Sequence, residues 1–156
     1  FSKLCNYIYP RLRRKENPFD YENLVSYLKV IFPNEQIENE VRITQIGGMS
    51  NKNFKVVKGS SEYVLRVPGN GSEGMVVRSN EEQNSMQACK MGINPPVRYF
   101  NAKNGIKLAD YVKNAETLNG ATIQRTSNMD KIVKIFQTLH HSHVRFGNEF
   151  NVFNEI

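Results

Sequence analysis

The sequence has 156 residues, which is long enough for one compact domain with a sizeable core. Its 39% hydrophobic and 23% charged residues are near the average of globular proteins, and no apolar run approaches the roughly 18 residues that span a bilayer. We therefore expect a soluble, globular chain. With only Cys5 and Cys89 and no secretory leader, we expect a cytoplasmic protein with free thiols.

The positive charge is concentrated at one end of the sequence. The formal net charge is +6, and residues 1–19 contain five of the 21 Lys and Arg residues but only one of the 15 Asp and Glu residues. Contact with phosphates or an anionic membrane is one interpretation of such a run, but a solvated arm is the more common one. We therefore predict a basic leader or linker, with no nucleic-acid partner and no membrane partner.

A first helix is predicted after Pro18, with Asp20 as its cap and Phe19 packed against Leu24. Apolar residues then recur at helical spacing until Pro33 ends the pattern: Leu24, Leu28, Ile31 and Phe32. Alternating apolar and polar residues next predict strands over 41–46, 54–57 and 63–67. Short turns separate these strands, so we expect three consecutive antiparallel strands.

The second half of the sequence predicts a helix, a hairpin and another helix. Ser79 and Glu82 form a capping box, and the helix that follows should end at Gly92. Residues 97–100 and 106–112, joined by a turn at Asn104-Gly105, predict the hairpin. The result is a five-stranded antiparallel sheet with one inserted helix.

A last helix is predicted from the capping pattern of Ser127 and Asp130. Its apolar face contains Met129, Ile132, Val133, Phe136, Leu139 and His143. We expect this helix to begin a new, helical part of the molecule. His140 and His143 at i, i+3 would suit a metal only with further ligands, so core packing is the favoured interpretation.

The glycine loop, residues 47–51, lies between two predicted strands. Glycines at 47 and 48 would let backbone amides approach a phosphate, although a Gly-Gly pair alone is more often an ordinary tight turn. Arg66 strengthens the phosphate-binding interpretation of this loop. It is a cation within an otherwise apolar strand, and a buried cation needs an anionic partner. A nucleotide phosphate and a carboxylate of Glu81 or Glu82 are both candidates, as in protein kinases, where a Lys takes the place of the Arg. The alternative is that Arg66 faces solvent on an edge strand.

Several ordered runs resemble the LicA-type bacterial choline kinases of the choline/ethanolamine kinase family. The runs cover residues 46–54, 63–69 and 78–81, and the similarity continues through 92–95, 105–108, 110–112 and 139–140. The resemblance extends over roughly residues 22–156. It implies an α+β fold: a protein-kinase-like small lobe with a five-stranded antiparallel sheet and a helix, followed by the first helix of a truncated helical lobe.

The resemblance also implies a division of the chain and a site. The basic leader would be residues 1–19, the nucleotide-binding small lobe 20–113, and the start of the large lobe 114–156. Arg66 would hold the phosphates of ATP, and Glu81 would pair with Arg66. The remaining site residues would be the loop that covers ATP and the hinge that receives its adenine through backbone groups: Gly47, Gly48, Met49, Ser50 and Asn51 in the loop, and Asp110, Tyr111 and Val112 in the hinge.

The reaction implied for the complete enzyme is transfer of the γ-phosphate of ATP to the hydroxyl of choline, with magnesium. Family members take their base from a His-x-Asp segment and a metal ligand from a later Asp, but no His-x-Asp occurs in these 156 residues. We therefore expect no catalytic residue and no metal ligand here, and interpret the sequence as a truncated, inactive part that needs the missing lobe to bind choline.

Two other functions stay open at this point. One is a non-enzymatic module of the same fold that binds a nucleotide or a protein. The other is a kinase of a different small hydroxyl compound, such as ethanolamine or an aminoglycoside. An exposed lobe interface would in addition favour a homodimer.

Overall fold

The computed structural model describes residues 20–48, 50–69 and 76–148. Four helices and five strands occur in these ranges. In chain order the elements are α1 (Tyr21–Ile31), α2 (Ile37–Glu40), β1 (Val41–Gly47), β2 (Asn51–Lys58), β3 (Ser61–Pro68), α3 (Arg78–Lys90), β4 (Val97–Phe100), β5 (Lys107–Asp110) and α4 (Thr126–His141). The strands form one antiparallel sheet of order β1-β2-β3-β5-β4, so β5 lies between β3 and β4. The five-stranded sheet predicted from the sequence is confirmed.

The hydrophobic core lies between α1, α2 and one face of the sheet. Leu24 and Leu28 of α1 pack against strand residues such as Phe54 and Leu65, and all four are fully buried. Side chains alternate between the two faces of a strand, so the neighbours of Leu65 point away from this core. The core therefore covers one face of the sheet and leaves the other available for a site.

The predicted helix starts need correction. α3 begins at Arg78 rather than at Ser79, and α4 begins at Thr126 rather than at Ser127; neither helix has a side-chain capping hydrogen bond. The amides of Glu81 and Met129 donate to the carbonyls of Val77 and Arg125, which places each serine inside the first turn. The contact predicted for Phe19 involves a residue outside the described ranges, and α2 was not predicted.

The end of α3 agrees with the prediction. Gly92 has a φ of 71°, a left-handed value that glycine adopts without strain. The amide of Gly92 donates to the carbonyl of Cys89 at 2.9 Å, and the amide of Ile93 donates to the carbonyl of Ala88 at 3.1 Å. These two bonds form a Schellman motif, which reverses the chain toward β4.

The predicted apolar face of α4 is largely exposed. Met129, Val133 and Phe136 are 43%, 47% and 53% exposed, and no described residue of α4 is buried. His143 does not belong to that face, because the helix ends at His141 and His143 has a φ of 54°. In the described part of the chain, no helix combines the length and the apolar character that crossing a membrane requires.

Candidate functional site

The glycine loop is a close-packed backbone turn at the end of β1. Gly47 and Gly48 have φ values of 121° and 132°, where only glycine is unstrained. A Cβ atom on Gly48 would lie 1.8 Å from the carbonyl oxygen of Asn51. The amide of Gly69 donates to the carbonyl of Ser50 at 3.0 Å, so the end of β3 holds the loop. Met49, the remaining predicted loop residue, lies outside the described residues.

Arg66 is the centre of an ion-pair cluster. Its Nη1 atom donates to Oε1 of Glu81, and its Nη2 atom donates to the carbonyl oxygen of Gly105 at 2.9 Å. Arg78 donates from Nη1 to the other oxygen of Glu81 at 2.7 Å. Because β3 lies between β2 and β5, Arg66 is on an interior strand, and the alternative of a solvent-facing edge residue is wrong.

The cluster fixes the ionisation of Glu81. Burial by itself raises the pKa of this carboxyl, but hydrogen bonds from Arg66 and Arg78 outweigh burial, so the pKa is lowered from its ordinary value. Gly105 makes room for the arrangement, because a Cβ atom there would lie 2.8 Å from Nε of Arg78. Glu81 is therefore a carboxylate at neutral pH, held by two cations.

A cleft of about 410 Å³ lies between the glycine loop and the hinge. Six of the ten predicted site residues line it: Gly47, Gly48, Arg66, Asp110, Tyr111 and Val112. Glu81 lines a neighbouring side cavity of about 900 Å³ along α3. Ser50 follows the glycines and Asn51 begins β2; neither residue lines the cleft. The volume of the cleft is in the range of small-molecule and cofactor sites.

The hinge is held by its backbone. The amide of Asp110 donates to the carbonyl of Pro96 at 2.9 Å, and the amide of Tyr111 donates to the carbonyl of Glu62 at 3.0 Å. The amide of Val112 donates to no acceptor among the residues that the structure describes. That amide is therefore available to a ligand in the cleft.

The side chains of the hinge have structural contacts. Both oxygens of the Asp110 carboxylate accept hydrogen bonds from Arg98, each at 2.7 Å. The ammonium of Lys55 lies 4.1 Å from the centre of the Tyr111 ring. These contacts hold the hinge in place, so any recognition by Asp110 or Tyr111 would use backbone groups.

Three residues of the site received no role in the sequence-based prediction: Arg78, Gly105 and Lys107. Arg78 stands three residues before Glu81, which is the spacing of a helical ion pair and was the available signal. Gly105 contributes a carbonyl oxygen, and no sequence pattern predicts that. Lys107 lies opposite Arg66 in the β3-β5 register, which depends on a strand pairing that the sequence leaves open.

Among residues 20–48, 50–69 and 76–148, no group of three or more His, Cys, Asp and Glu side chains is placed to hold a metal ion. Magnesium prefers several oxygen ligands, usually carboxylates, waters and substrate phosphates. The carboxylates at this site, of Glu81 and Asp110, are both occupied by arginines.

No protein-family model matches the sequence. Several solved structures have a similar fold over most of the chain, among them two LicA structures. A LicA protein in complex with AMP has a TM-score of 0.69 and 29% identity, covering 86% of this chain and 46% of that one. Choline kinase LicA from Streptococcus pneumoniae has a TM-score of 0.68 and 30% identity, covering 83% of this chain and 46% of that one. The fold is therefore the α+β, kinase-like fold of the choline/ethanolamine kinases.

The sequence comparison finds a relative of the same name. The chain is 29% identical over 137 residues to protein LicA of Haemophilus influenzae, covering 85% of this chain and 40% of that protein. The resemblance to LicA-type choline kinases predicted from the motifs is confirmed. The chain spans less than half the length of these relatives.

Proposed function

We propose that this chain binds ATP in the cleft and that the protein as a whole transfers the γ-phosphate of ATP to choline. One observation carries the proposal: residues from three separate segments of the sequence, 47–48, 66 and 110–112, line a single cleft. The solved LicA structure with AMP supports a nucleotide as the ligand. The Streptococcus pneumoniae relative is a choline kinase, which supports choline as the acceptor.

The hinge end of the cleft suits adenine. Val64 and Ala109 supply an apolar surface for the flat base, and the Val112 amide can donate to a ring nitrogen. A backbone donor beside an apolar surface is the usual way to orient such a ring. We therefore assign the recognition of adenine to the backbone of residues 110–112.

The opposite end suits the phosphates. Backbone amides at Gly47 and Gly48 can approach an oxyanion because no side chain intervenes. Arg66 faces this end, and Glu81 holds its guanidinium in place. The Nε atom of Arg66 is buried with no hydrogen-bond acceptor in the described part of the chain, so it is a donor that a phosphate oxygen would satisfy.

The division of the chain belongs to the same proposal. Residues 20–113 would form the nucleotide-binding lobe, and residues 114–156 would begin a helical lobe that supplies the base and the magnesium ligands. Phosphoryl transfer depends chiefly on positioning and charge stabilisation. The part played by the described residues is to bind and orient ATP.

The binding proposal is tested by isothermal titration calorimetry of the purified 156-residue chain with ATP. Arg66→Ala should weaken ATP binding about tenfold or more, because it removes a charge-assisted contact. Arg125→Ala is a matched control, since Arg125 is exposed and pairs with Glu116 outside the cleft. Unchanged affinity in Arg66→Ala, with the sheet intact by circular dichroism, would refute the role of Arg66. No binding of ATP to the unmodified chain would refute the function.

The acceptor is tested with the complete product of the gene. Release of ADP should be fastest with choline when choline, ethanolamine and an aminoglycoside are compared at equal concentration with ATP and magnesium. A faster rate with either of the other two acceptors would refute choline as the preferred acceptor. Release of ADP with none of them would favour a non-enzymatic nucleotide-binding module.

A further inference from the structure

Lys107 is placed beside Arg66 on the face of the sheet that carries the cleft. The β3-β5 register pairs Arg66 directly with Lys107, and the β2-β3 register pairs Arg66 with Asn53. Residues directly opposite each other in antiparallel strands project from the same face. Asn53, Arg66 and Lys107 therefore form a polar row across three strands, and all three line the cleft.

Lys107 differs from Arg66 in having no partner. Arg66 gives both terminal nitrogens to the protein, one to Glu81 and one to the carbonyl of Gly105. The ammonium of Lys107 makes no hydrogen bond or salt bridge within the described residues, although its side chain is only partly exposed. Burial and the charge of Arg66 lower the pKa of Lys107. A partly buried ammonium without a partner is costly unless a ligand supplies the anion.

Two cations line the cleft, Arg66 and Lys107, and both lie near the carboxylate of Glu81. Arg66 pairs with this carboxylate, whereas Lys107 forms no salt bridge with it. The charge of Lys107 therefore remains for an anion bound in the cleft.

The position of Lys107 along β5 determines which part of a bound nucleotide it would contact. Lys107 precedes Tyr111 of the hinge by four residues, which is about 13 Å of extended strand. It also lines the side cavity along α3, so it stands where the two cavities join. An adenine bound at the hinge would direct its outer phosphates, rather than its ribose, toward this end.

We propose that Lys107 is a second phosphate-binding cation, specific for the outer phosphates of a nucleoside di- or triphosphate. Arg66 is then mainly a positioned cation within the Glu81 cluster, while Lys107 keeps all three of its donors for the ligand. The proposal rests on the proposed ATP-binding function and deepens it. It predicts that the site prefers ATP and ADP to AMP, and AMP to adenosine.

The test is a set of calorimetric titrations of the unmodified chain and Lys107→Met with ATP, ADP, AMP and adenosine in EDTA. Methionine keeps the apolar stem of the side chain and removes the charge. We expect affinity for ATP and ADP to fall about tenfold or more. We expect affinity for adenosine to change less than about twofold, because no phosphate is present to lose a contact. Lys107→Arg should restore most of the preference for ATP.

Two control variants separate this role from a structural one. Lys113→Met removes an exposed lysine that pairs with Glu62, so it should leave the preference for ATP over adenosine unchanged. Lys107→Met should unfold at the same temperature as the unmodified chain or a higher one, because it removes an unpaired, partly buried charge. The proposal is overturned if Lys107→Met weakens the binding of adenosine as much as that of ATP, or if it weakens the binding of neither. In both cases the proposed binding of ATP to the chain still stands. If the unmodified chain binds no nucleotide, the proposal and the proposed function both fail.

Discussion

The sheet and helix α4 place their apolar residues differently. The sheet buries Phe54, Leu65 and Leu108 completely under α1, so this part has its own core. In α4 the residues Val133 and Phe136 are about half exposed. Both regions have clear apolar periodicity, but in the described part of the chain only the sheet buries its apolar face. Periodicity shows which face of an element is suited to packing, and the structure shows whether something packs there.

The two faces of the sheet also differ in the kind of side chains that they carry. The face toward α1 is apolar, and its stability comes from removing side chains from water. The face toward the cleft carries Asn53, Arg66 and Lys107, and its order depends on hydrogen bonds and ion pairs with α3 and the β4-β5 turn. Substitutions on the first face should therefore reduce stability, and substitutions on the second should reduce ligand binding.

The largest expected effect is on the core face. Phe54→Ala should lower the free energy of unfolding by about 3 to 5 kcal/mol, because it leaves a cavity under α1. Urea denaturation followed by circular dichroism measures this loss. The same experiment with Ile46→Ala, an exposed residue of the same sheet, should show less than about 1 kcal/mol. Equal losses would contradict the assignment of the core to one face.

The next effect concerns the glycine loop. Gly48→Ala would place a Cβ atom 1.8 Å from the carbonyl oxygen of Asn51, so the loop must rebuild. We expect ATP affinity to fall about tenfold or more, because the loop amides lose their positions. Gly59→Ala is the matched control: Gly59 has a φ of 56° in the β2-β3 turn, with open space around it. It should cost about 1 kcal/mol of stability and leave ATP binding unchanged.

Much of this fold could be predicted from the sequence, because each strand shows its own alternation and each turn its own glycine or proline. The strands over residues 41–46, 54–57 and 63–67 all occur, and each is longer than predicted: they span Val41–Gly47, Asn51–Lys58 and Ser61–Pro68. Helix starts at Ser79 and Ser127 were placed too late, because a serine in the first turn gives the same pattern as a serine at the cap.

The candidate site was harder to predict, because it depends on residues that meet across strands. Arg66 and Glu81 were visible as a cation in an apolar strand and an acid in a helix, and the structure pairs them. The carbonyl of Gly105 and the side chain of Lys107 join Arg66 only because β5 lies beside β3. From the order of the strands in the sequence alone, β4 could equally have been the strand beside β3.

A smaller effect follows from the ionisation of Glu81. Burial raises the pKa of this carboxyl, but the hydrogen bonds from Arg66 and Arg78 lower it by more, so the folded pKa is below the unfolded one. A lowered pKa contributes stability above the unfolded pKa, and that stability is lost as the pH falls below about 4. The unmodified chain should therefore lose on the order of 1 kcal/mol relative to Glu81→Gln between pH 6 and pH 3.

The measurement is the difference in unfolding free energy between the unmodified chain and Glu81→Gln at a series of pH values. A matched comparison is Glu116→Gln, whose exposed pair with Arg125 should contribute little at any pH. A difference for Glu81 that stays constant down to pH 3 would show that its carboxylate is not held by the two arginines.

The smallest effect is expected on α4, and it tests the comparison between the two regions most directly. Phe136 is 53% exposed, and its ring lies 5.8 Å from the ring of His140 on the same helix. Because about half of this residue stays in contact with water, Phe136→Ser should change the free energy of unfolding by less than about 1 kcal/mol. Urea denaturation at two protein concentrations gives the value. A loss above about 2 kcal/mol would mean that the face is packed after all. If that loss grew with protein concentration, the homodimer predicted from the sequence would account for it, because association stabilises the folded state by mass action.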